Sequence, residues 1–330
     1  MITRPVSVII CTHNRAHVLP LILNQLRGQD YPADAFEIIV VDNCSTDGTC
    51  QVVERFIMEP GVPVRYVAES RPGVTFARNR GAEAARYPYL AYIDDDCAVK
   101  PDWLKSILGG FDLDERVVVV GGLVILDWAD QKKPSWIGPG IEPWLGVNSV
   151  LGSQPRLLEK KIRVLEGNMA LTREAWHGHG GFLGMERFGS RHVSAGEVIF
   201  LLKQIERKGE KVAFVPGAVA RHHVVIRNLR WFLRRAYWQG VSDGILDYLL
   251  FRRSWRSTIG RIFLDSIAML TFIGLTGFSI FTANSSESLF YLMRAIRRTG
   301  LILSEMRLVG NWPEARFWIS THRGARGENG

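Results

Sequence analysis

The chain has 330 residues, of which 47% are hydrophobic and 22% are charged, a composition that excludes disordered and collagen-like classes. The net charge of +8 is unevenly distributed. Residues 221–330 hold 16 arginines, no lysine and 7 acidic residues, whereas residues 1–220 hold 25 basic and 26 acidic residues. An arginine-rich final third indicates an anionic partner, such as a membrane surface. The four cysteines show no C-x-x-C pair, which argues against a zinc ribbon and favours a reducing cytoplasm.

The first hundred residues alternate between short β-branched runs and segments with helical spacing. The runs predict buried strands at 6–11, 36–41, 64–67 and 89–93. The segments between them predict helices at 17–28, 49–58 and 74–86. Strands and helices that alternate in this way predict a parallel sheet with helical crossovers.

The later elements are less regular. Strands are predicted at 117–120 and 211–215, and a loop region at 126–160 is rich in Trp, Pro and Gly. A helix is predicted over 194–209, with Ser194 as its N-cap and Glu197 at the N3 position. From residue 228 onward the pattern indicates helices only. We therefore expect one domain over 1–225, with halves 1–125 and 126–225, and a basic, apolar helical region over 226–330.

Polar clusters follow the predicted strands at 11–15, 41–43 and 94–96. In an open α/β sheet the carboxyl ends of the strands are where ligands bind, so three clusters at that edge predict one site. Asp94, Asp95 and Asp96 repel one another, at a cost of about 3–4 kcal/mol per pair for an effective dielectric constant of about 20. A divalent cation, Mg²⁺ or Mn²⁺, would neutralise them. A solvated acidic turn is the alternative interpretation.

The chain also resembles a known family. The runs that carry the resemblance are Val8–Arg15, Val40–Thr49, Ala77–Gly81 and Asp94–Asp96. In order and spacing they resemble the family 2 glycosyltransferases of GT-A fold, and Gly167–Leu171 with Arg173 resembles that family's acceptor-side segment. The resemblance implies an α/β GT-A fold with a mostly parallel central sheet, followed by the C-terminal helical region. It implies inverting transfer of a sugar from a nucleotide-diphosphate donor, which we expect to be a UDP-sugar, in polysaccharide or glycan assembly.

The resemblance also implies roles for individual residues. Those expected to bind the nucleotide sugar are Thr12, Asn14, Arg15, Asp42, Arg78, Asp94 and Asp95. Asp42 would bind the base, and Arg78 the uracil or the diphosphate. The expected metal ligands are Asp96 with His222 or His223. The acceptor, a glycan or a lipid-linked molecule, would lie near Gly167, Asn168 and Trp136.

Inversion requires a general base, for which the family pattern offers Glu-Asp at the start of a helix. This chain has Glu197 followed by Val198. We predict Glu197 as the base, with a purely capping role as the alternative. The departure at Val198 keeps a second function open, a catalytically weak scaffold that binds sugar nucleotides. A dinucleotide-binding enzyme is excluded because no glycine-rich loop follows the first strand. No nucleic-acid partner is expected, since no motif accompanies the basic tail.

Residues 266–283 form an 18-residue stretch without charge, flanked by arginines on both sides. This length is at the lower bound for a membrane-spanning helix. We expect in-plane or peripheral attachment to the cytoplasmic face of a membrane. A buried helical hairpin and a true span are the two alternatives.

Overall fold

The computed structural model describes residues 3–128, 132–148, 151–158, 164–183, 197–224, 228–251, 255–281 and 285–309. Two compact units divide the chain. The first comprises residues 1–133, 142–184 and 197–225, and the second comprises residues 134–141, 185–196 and 226–330. Each unit is described separately below.

The first unit contains a nine-stranded sheet. Its strands are β1 (Val6–Thr12), β2 (Phe36–Asp42), β3 (Val64–Ala68), β4 (Tyr89–Ile93), β5 (Cys97–Val99), β6 (Val117–Asp127), β7 (Arg156–Leu157), β8 (Asn168–Thr172) and β9 (Lys211–His223). Its helices are α1 (Leu19–Arg27), α2 (Thr49–Met58), α3 (Val74–Ala84), α4 (Trp103–Gly109), α5 (Arg173–Gly178) and α6 (Glu197–Arg207). Short 3₁₀ helices cover Gly110–Asp112 and Glu142–Leu145.

The sheet follows the order β3-β2-β1-β4-β8-β6-β9-β5, with β7 beside β9. Strands β1 to β4 pair in parallel, as predicted, and so do β6 and β9. Strand β8 is antiparallel to both β4 and β6, and β5 and β7 are antiparallel to β9. The α/β class is therefore confirmed, and the sheet is mixed in its second half.

Two apolar cores lie on opposite faces of this sheet. On β1, Val8 and Ile10 face one core, whereas Ile9 faces the other. Because both faces are covered, the strand has a continuous apolar run rather than an alternating pattern. Gly81 lets α3 approach closely, since a Cβ there would lie 2.4 Å from a methyl carbon of Ile9.

The second unit contains three long helices, α7 (Leu229–Phe251), α8 (Trp255–Phe281) and α9 (Ser285–Val309), and α9 packs against both others. Glycines allow the α7–α9 contact. A Cβ added to Gly240 would lie 1.8 Å from the Arg297 carbonyl oxygen, and one added to Gly300 would lie 2.1 Å from the Tyr237 carbonyl oxygen. Small residues that let two backbones approach are typical of helix packing in membranes.

Helix α8 has its polar side chains inside and its apolar ones outside. Asp265, Thr276 and Ser279 are at most 9% exposed. The large side chains on the opposite arc are 47–67% exposed; they are Phe263, Leu264, Ile267, Leu270, Ile273, Phe278 and Ile280. Among the described residues one stretch, Gly260–Ile280 with a mean hydropathy of 1.6, is long and apolar enough to cross a membrane by length and composition.

Candidate active site

The carboxyl ends of three parallel strands of the first unit meet at one edge of the sheet. Thr12 at the end of β1 is in register with Asp42 at the end of β2. On the other side of β1 lies β4, after which the chain continues directly into Asp94. The topology therefore brings together the polar clusters that are far apart in sequence.

Asp42 is held by its own loop and by the neighbouring strand. Its Oδ1 accepts a hydrogen bond from the Ser45 backbone N–H at 2.9 Å, and its Oδ2 accepts one from the Tyr66 hydroxyl at 2.8 Å. Burial, together with this bond to Asp42, raises the pKa of Tyr66, so the phenol stays a donor at neutral pH. Asp42 is only 5% exposed and has a fixed orientation.

Asn14 connects the loop after β1 to the loop after β2. Its backbone N–H donates to the Ser45 hydroxyl at 2.8 Å, and its side-chain oxygen accepts from the Thr46 N–H at 2.7 Å. Its φ of 54° lies in the left-handed region, which asparagine tolerates better than most residues. Asn14 therefore holds the loop after β1 against the loop after β2.

Asp95 lies under the end of β1. The Thr12 hydroxyl donates to its Oδ2 at 2.7 Å. Burial raises the pKa of Asp95 to about 7, and the hydrogen bond from Thr12 offsets this only in part. Near neutral pH the three adjacent carboxyl groups therefore carry fewer than three negative charges, which relieves part of the repulsion that the sequence implies.

Asp94 lies between Arg78 and Gly167. An Arg78 guanidinium nitrogen is 3.8 Å from Asp94 Oδ1, and the Asp94 backbone N–H donates to the Gly167 carbonyl oxygen at 3.2 Å. A Cβ at position 167 would lie 2.1 Å from Asp94 Oδ2. The glycine is thus required for the observed position of the carboxylate.

Asp96 lies close to two basic side chains. The Arg15 guanidinium lies 3.3 Å from its Oδ2, and His222 Nε2 lies 3.6 Å from its Oδ1. Burial alone would raise the pKa of Asp96, but the hydrogen bond and charge of His222, together with Arg15, lower it below its usual value. Burial likewise opposes the charged form of His222, and Asp96 nevertheless raises its pKa. Each of the two side chains therefore favours the charged form of the other.

Strand β9 brings His222 to Asp96. In the antiparallel pairing of β5 with β9, Cys97 is opposite His222. The His222 Nδ1 is 3.0 Å from the Leu145 carbonyl oxygen, which fixes the ring. Successive strand residues point to opposite faces, and His223 reaches Asp96 through its backbone N–H, 3.0 Å from the Asp96 carbonyl oxygen. Of the two histidines, His222 is the one whose imidazole meets the carboxylate.

The structure describes two of the residues predicted for the acceptor side. Asn168 is fully buried; its amide nitrogen donates to the carbonyl oxygens of Leu123 and Ala218, and its oxygen accepts from the Trp103 indole N–H at 2.8 Å. It braces the sheet beneath the site, and its place near an acceptor stays a prediction. Trp136 belongs to the second unit.

Glu197 is the first residue of α6, and its side chain lies outside the described part of the structure, as does the predicted N-cap Ser194. The neighbouring Val198 is 1% exposed and packs in the apolar core with Leu201 and Ile205. Position 198 therefore faces the interior, where valine gains burial energy and a carboxylate would be costly.

Two partners of the site were missed by sequence analysis. Tyr66 orients Asp42, and the Leu145 carbonyl orients His222. Tyr66 lies in a predicted strand, so the parallel pairing of β2 with β3 could have indicated it. No sequence signal points to Leu145, because its role comes from a backbone oxygen.

The donor set at Asp96 fits a divalent ion. Among the described residues there is no group of three or more His, Cys, Asp or Glu side chains that could hold a metal. However, Asp96 Oδ1 and His222 Nε2 are 3.6 Å apart, close to the separation of about 3 Å between adjacent donors on one ion with bonds of about 2.1 Å. Ions that bind phosphates commonly take only one or two protein ligands, and the phosphate oxygens complete the shell.

The chain is similar to known proteins over most of its length. Residues 7–187 match the family model described as glycosyl transferase family 2. A curated relative, the glucosyl-dolichyl phosphate glucuronosyltransferase of Haloferax volcanii, is 26% identical over 249 residues, which is 74% of this chain and 78% of the relative. Several other relatives match over 31–37% of this chain and over only 12–39% of their own length.

Two solved structures share the fold. The mannosyltransferase PcManGT of Pyrobaculum calidifontis, in complex with GDP-Man and Mn²⁺, aligns with a TM-score of 0.55 at 20% identity, over 98% of this chain and 81% of that one. Residues 1–349 of Staphylococcus aureus TarS, in complex with UDP-GlcNAc, align with a TM-score of 0.53 at 16% identity, over 92% of this chain and 91% of that one. Both likenesses concern the fold.

Proposed function

The chain belongs to glycosyl transferase family 2, and on that premise we propose that it transfers a sugar from a nucleoside-diphosphate donor to a hydroxyl group of a glycan or lipid-linked acceptor. Residues 1–225 are the proposed catalytic domain. The observation that carries the proposal is the convergence at one sheet edge of Asp42, Asp94–Asp96, Arg15, Arg78 and His222.

The donor is proposed to be a UDP-sugar. Asp42, oriented by Tyr66 and the Ser45 N–H, keeps free lone pairs that can accept a hydrogen bond from the base. Arg78 and Arg15 supply the positive charge that a diphosphate needs. The TarS complex with UDP-GlcNAc supports uridine as the base, whereas the PcManGT complex with GDP-Man makes guanosine the alternative to be tested.

The proposed reaction inverts the anomeric carbon. The acceptor oxygen forms a bond to that carbon, the bond from the carbon to the diphosphate oxygen breaks, and the nucleoside diphosphate leaves with the bonding electrons. The hydroxyl proton passes to a general base, for which Glu197 at the start of α6 is proposed. The family pattern has Glu-Asp at positions 197 and 198. Because Val198 packs in the core here, Glu197 is the carboxylate that remains of this pattern.

The residues proposed to hold a divalent ion are Asp96 and His222. When bound, Mn²⁺ or Mg²⁺ would neutralise the charge that develops on the leaving diphosphate. Metal ligation requires a neutral imidazole, so binding of the ion at His222 would compete with protonation of its ring. The mixed oxygen and nitrogen donor pair favours Mn²⁺ over Mg²⁺, which keeps oxygen ligands.

Attachment to a membrane is proposed through residues 226–330. The apolar outer arc of α8 and the excess of arginine support this, as does the name of the Haloferax relative, which acts on a dolichyl phosphate. A cytoplasmic location on the inner face is proposed, because nucleotide sugars are the donors.

A donor screen tests the function. The full chain in detergent is heated with UDP-, GDP- and dTDP-sugars, each with and without Mn²⁺, and the unfolding temperature is recorded. We expect stabilisation by a UDP-sugar that increases with Mn²⁺, and release of UDP when an acceptor is added. Equal stabilisation with and without the ion would overturn the metal role. Donor binding without release of UDP to any acceptor would favour the scaffold that the Val198 substitution leaves open.

A further inference from the structure

The second unit contains a cavity of about 490 Å³, within the usual range of about 300–1,000 Å³ for ligand pockets. Seven residues line it: Trp136, Leu229, Thr276, Ile280, Ser288, Leu289 and Leu292. The Thr276 hydroxyl already donates to the Phe272 carbonyl oxygen at 2.7 Å. The walls therefore offer mainly carbon atoms, which suits a hydrocarbon and not a sugar ring.

The cavity is continuous with the apolar arc of α8. Ile280 lines it and is also 65% exposed, and Ile273, two helical turns earlier, lies on the same helix face. A helix with its polar residues inside and its apolar ones outside is stable where the surroundings are hydrocarbon. A chain that lies among lipid tails can therefore enter the cavity without crossing water.

Positive charge adjoins the apolar wall. Leu229 lines the cavity at the start of α7, and the next residue, Arg230, is exposed, with Arg234 exposed one turn later. The first turn of α7 has no acidic residue. The arrangement combines a hydrocarbon pocket with nearby cations, and a lipid that carries a phosphate is complementary to both.

We infer that this cavity receives the isoprenoid chain of a polyprenyl-phosphate-linked acceptor. The inference rests on the proposed function and adds the chemical class of the acceptor. The isoprenoid is chosen over an ordinary acyl chain because the Haloferax relative, matched over 74% of this chain, acts on a glucosyl-dolichyl phosphate. Trp136, which contacts Phe232 edge-on at 5.4 Å, thereby gains a role in binding the lipid part of the acceptor.

A photolabelling experiment tests the inference. The full chain in detergent is irradiated with a diazirine-bearing geranylgeranyl phosphate, and the labelled residues are mapped by mass spectrometry. We expect label at Leu229, Leu289 or Leu292, and competition by unlabelled geranylgeranyl phosphate but not by phosphatidic acid. Label confined to the outer arc of α8, or equal competition by phosphatidic acid, would overturn the inference.

A matched pair of variants sharpens the test. Leu292→Trp fills the cavity, and Leu270→Trp makes the same change at a 62% exposed position outside it. We expect labelling to fall about tenfold in the first variant and to stay unchanged in the second. Equal labelling of the two variants contradicts the inference. If Leu292→Trp does not fold, the positions labelled in the wild-type protein serve as the test. Nucleotide binding is measured in parallel, so failure of the donor site and failure of the cavity are distinguished.

Discussion

The two units of this chain distribute polar groups in opposite ways. In the first unit apolar side chains fill two cores, and Asp94, Asp95 and Asp96 lie together at the edge of the sheet. In the second unit Asp265 is buried and ion-paired with Arg261 and Arg298, whereas Phe263 and Leu270 point outward. The same physical rule gives both arrangements, because a side chain is placed according to the medium that surrounds the fold.

The two units differ in which groups carry a free-energy cost on burial or exposure. Burying Asp265 is costly unless it is paired, and α8 pairs it. Exposing a large apolar arc to water is costly too, and within the described part of α8 the arc is not covered by the unit itself. The first unit therefore has the arrangement expected of a domain in water, and the second has the arrangement on which the proposed attachment to lipid rests.

The largest expected effect tests the charged side of this comparison. Asp96→Asn should reduce sugar transfer by about 10³-fold or more, because it removes one ligand of the proposed ion and the partner of His222. The rate of UDP release is measured with Mn²⁺ present. Asp34→Asn is the control, since Asp34 is exposed and distant in sequence from the cluster; a similar loss there would assign the effect to the fold.

The next effect tests the lipid side. The triple change Phe263→Ser, Leu270→Ser and Phe278→Ser should reduce partition into anionic liposomes by at least about 100-fold, since the three side chains each contribute roughly 1–2 kcal/mol of apolar transfer, or roughly 3–6 kcal/mol together. Flotation on a density gradient measures it. The matched control carries serine at three exposed apolar positions of the first unit, Leu21, Ile57 and Met58. Equal partition of both variants would contradict the lipid assignment.

A smaller effect concerns the contact between α7 and α9. Gly300→Ala places a methyl group 2.1 Å from the Tyr237 carbonyl oxygen, and we expect a loss of about 2 kcal/mol in the free energy of unfolding because backbone atoms must move. Tryptophan fluorescence during heating in detergent measures it. Gly277→Ala on α8 meets no atom within 4 Å and should leave the unfolding temperature unchanged or slightly higher; a matching loss there would refute the packing argument.

The smallest expected effect lies at Gly167. Gly167→Ala should weaken donor binding about tenfold, because the added methyl group displaces the carboxylate of Asp94 while the sheet remains folded. Titration calorimetry with UDP measures the affinity. Gly178→Ala, where a methyl group meets nothing within 4 Å, is the control. If the affinity of Gly167→Ala for UDP is unchanged, Asp94 does not contribute to donor binding.

The sequence was sufficient for the first four strands and their ends. Runs predicted at 6–11 and 36–41 form Val6–Thr12 and Phe36–Asp42, because β-branched residues buried on both faces leave little ambiguity. The site edge could be predicted from the same information, since parallel strands align their carboxyl ends. The predicted α/β class with a C-terminal helical region follows from these patterns and is confirmed.

The features that the sequence did not predict depend on pairing between strands that are far apart in the chain. Strand β9 was predicted to end at Val215, because Pro216 and Gly217 are typical strand terminators. It instead continues past an irregularity in its pairing with β6, between the pairs at Val215 and Val219, and ends at His223. The contact of His222 with Asp96 arises from that extension, and so local pattern could not reveal it. For the same reason, the local sequence around Asn168 could not show whether its side-chain amide binds other parts of the sheet or faces a ligand.

The extended β9 has a consequence for insertions and deletions. A shift of one residue turns every side chain of a strand to the opposite face. Deleting one residue between Val219 and Arg221 would move His223 into the position that His222 occupies, so an imidazole would still meet Asp96. Inserting one residue there would bring Arg221 to the same position and replace the imidazole ring with a permanent cation. Because His223 follows His222, an imidazole stays opposite Asp96 after a one-residue deletion in this segment but not after a one-residue insertion.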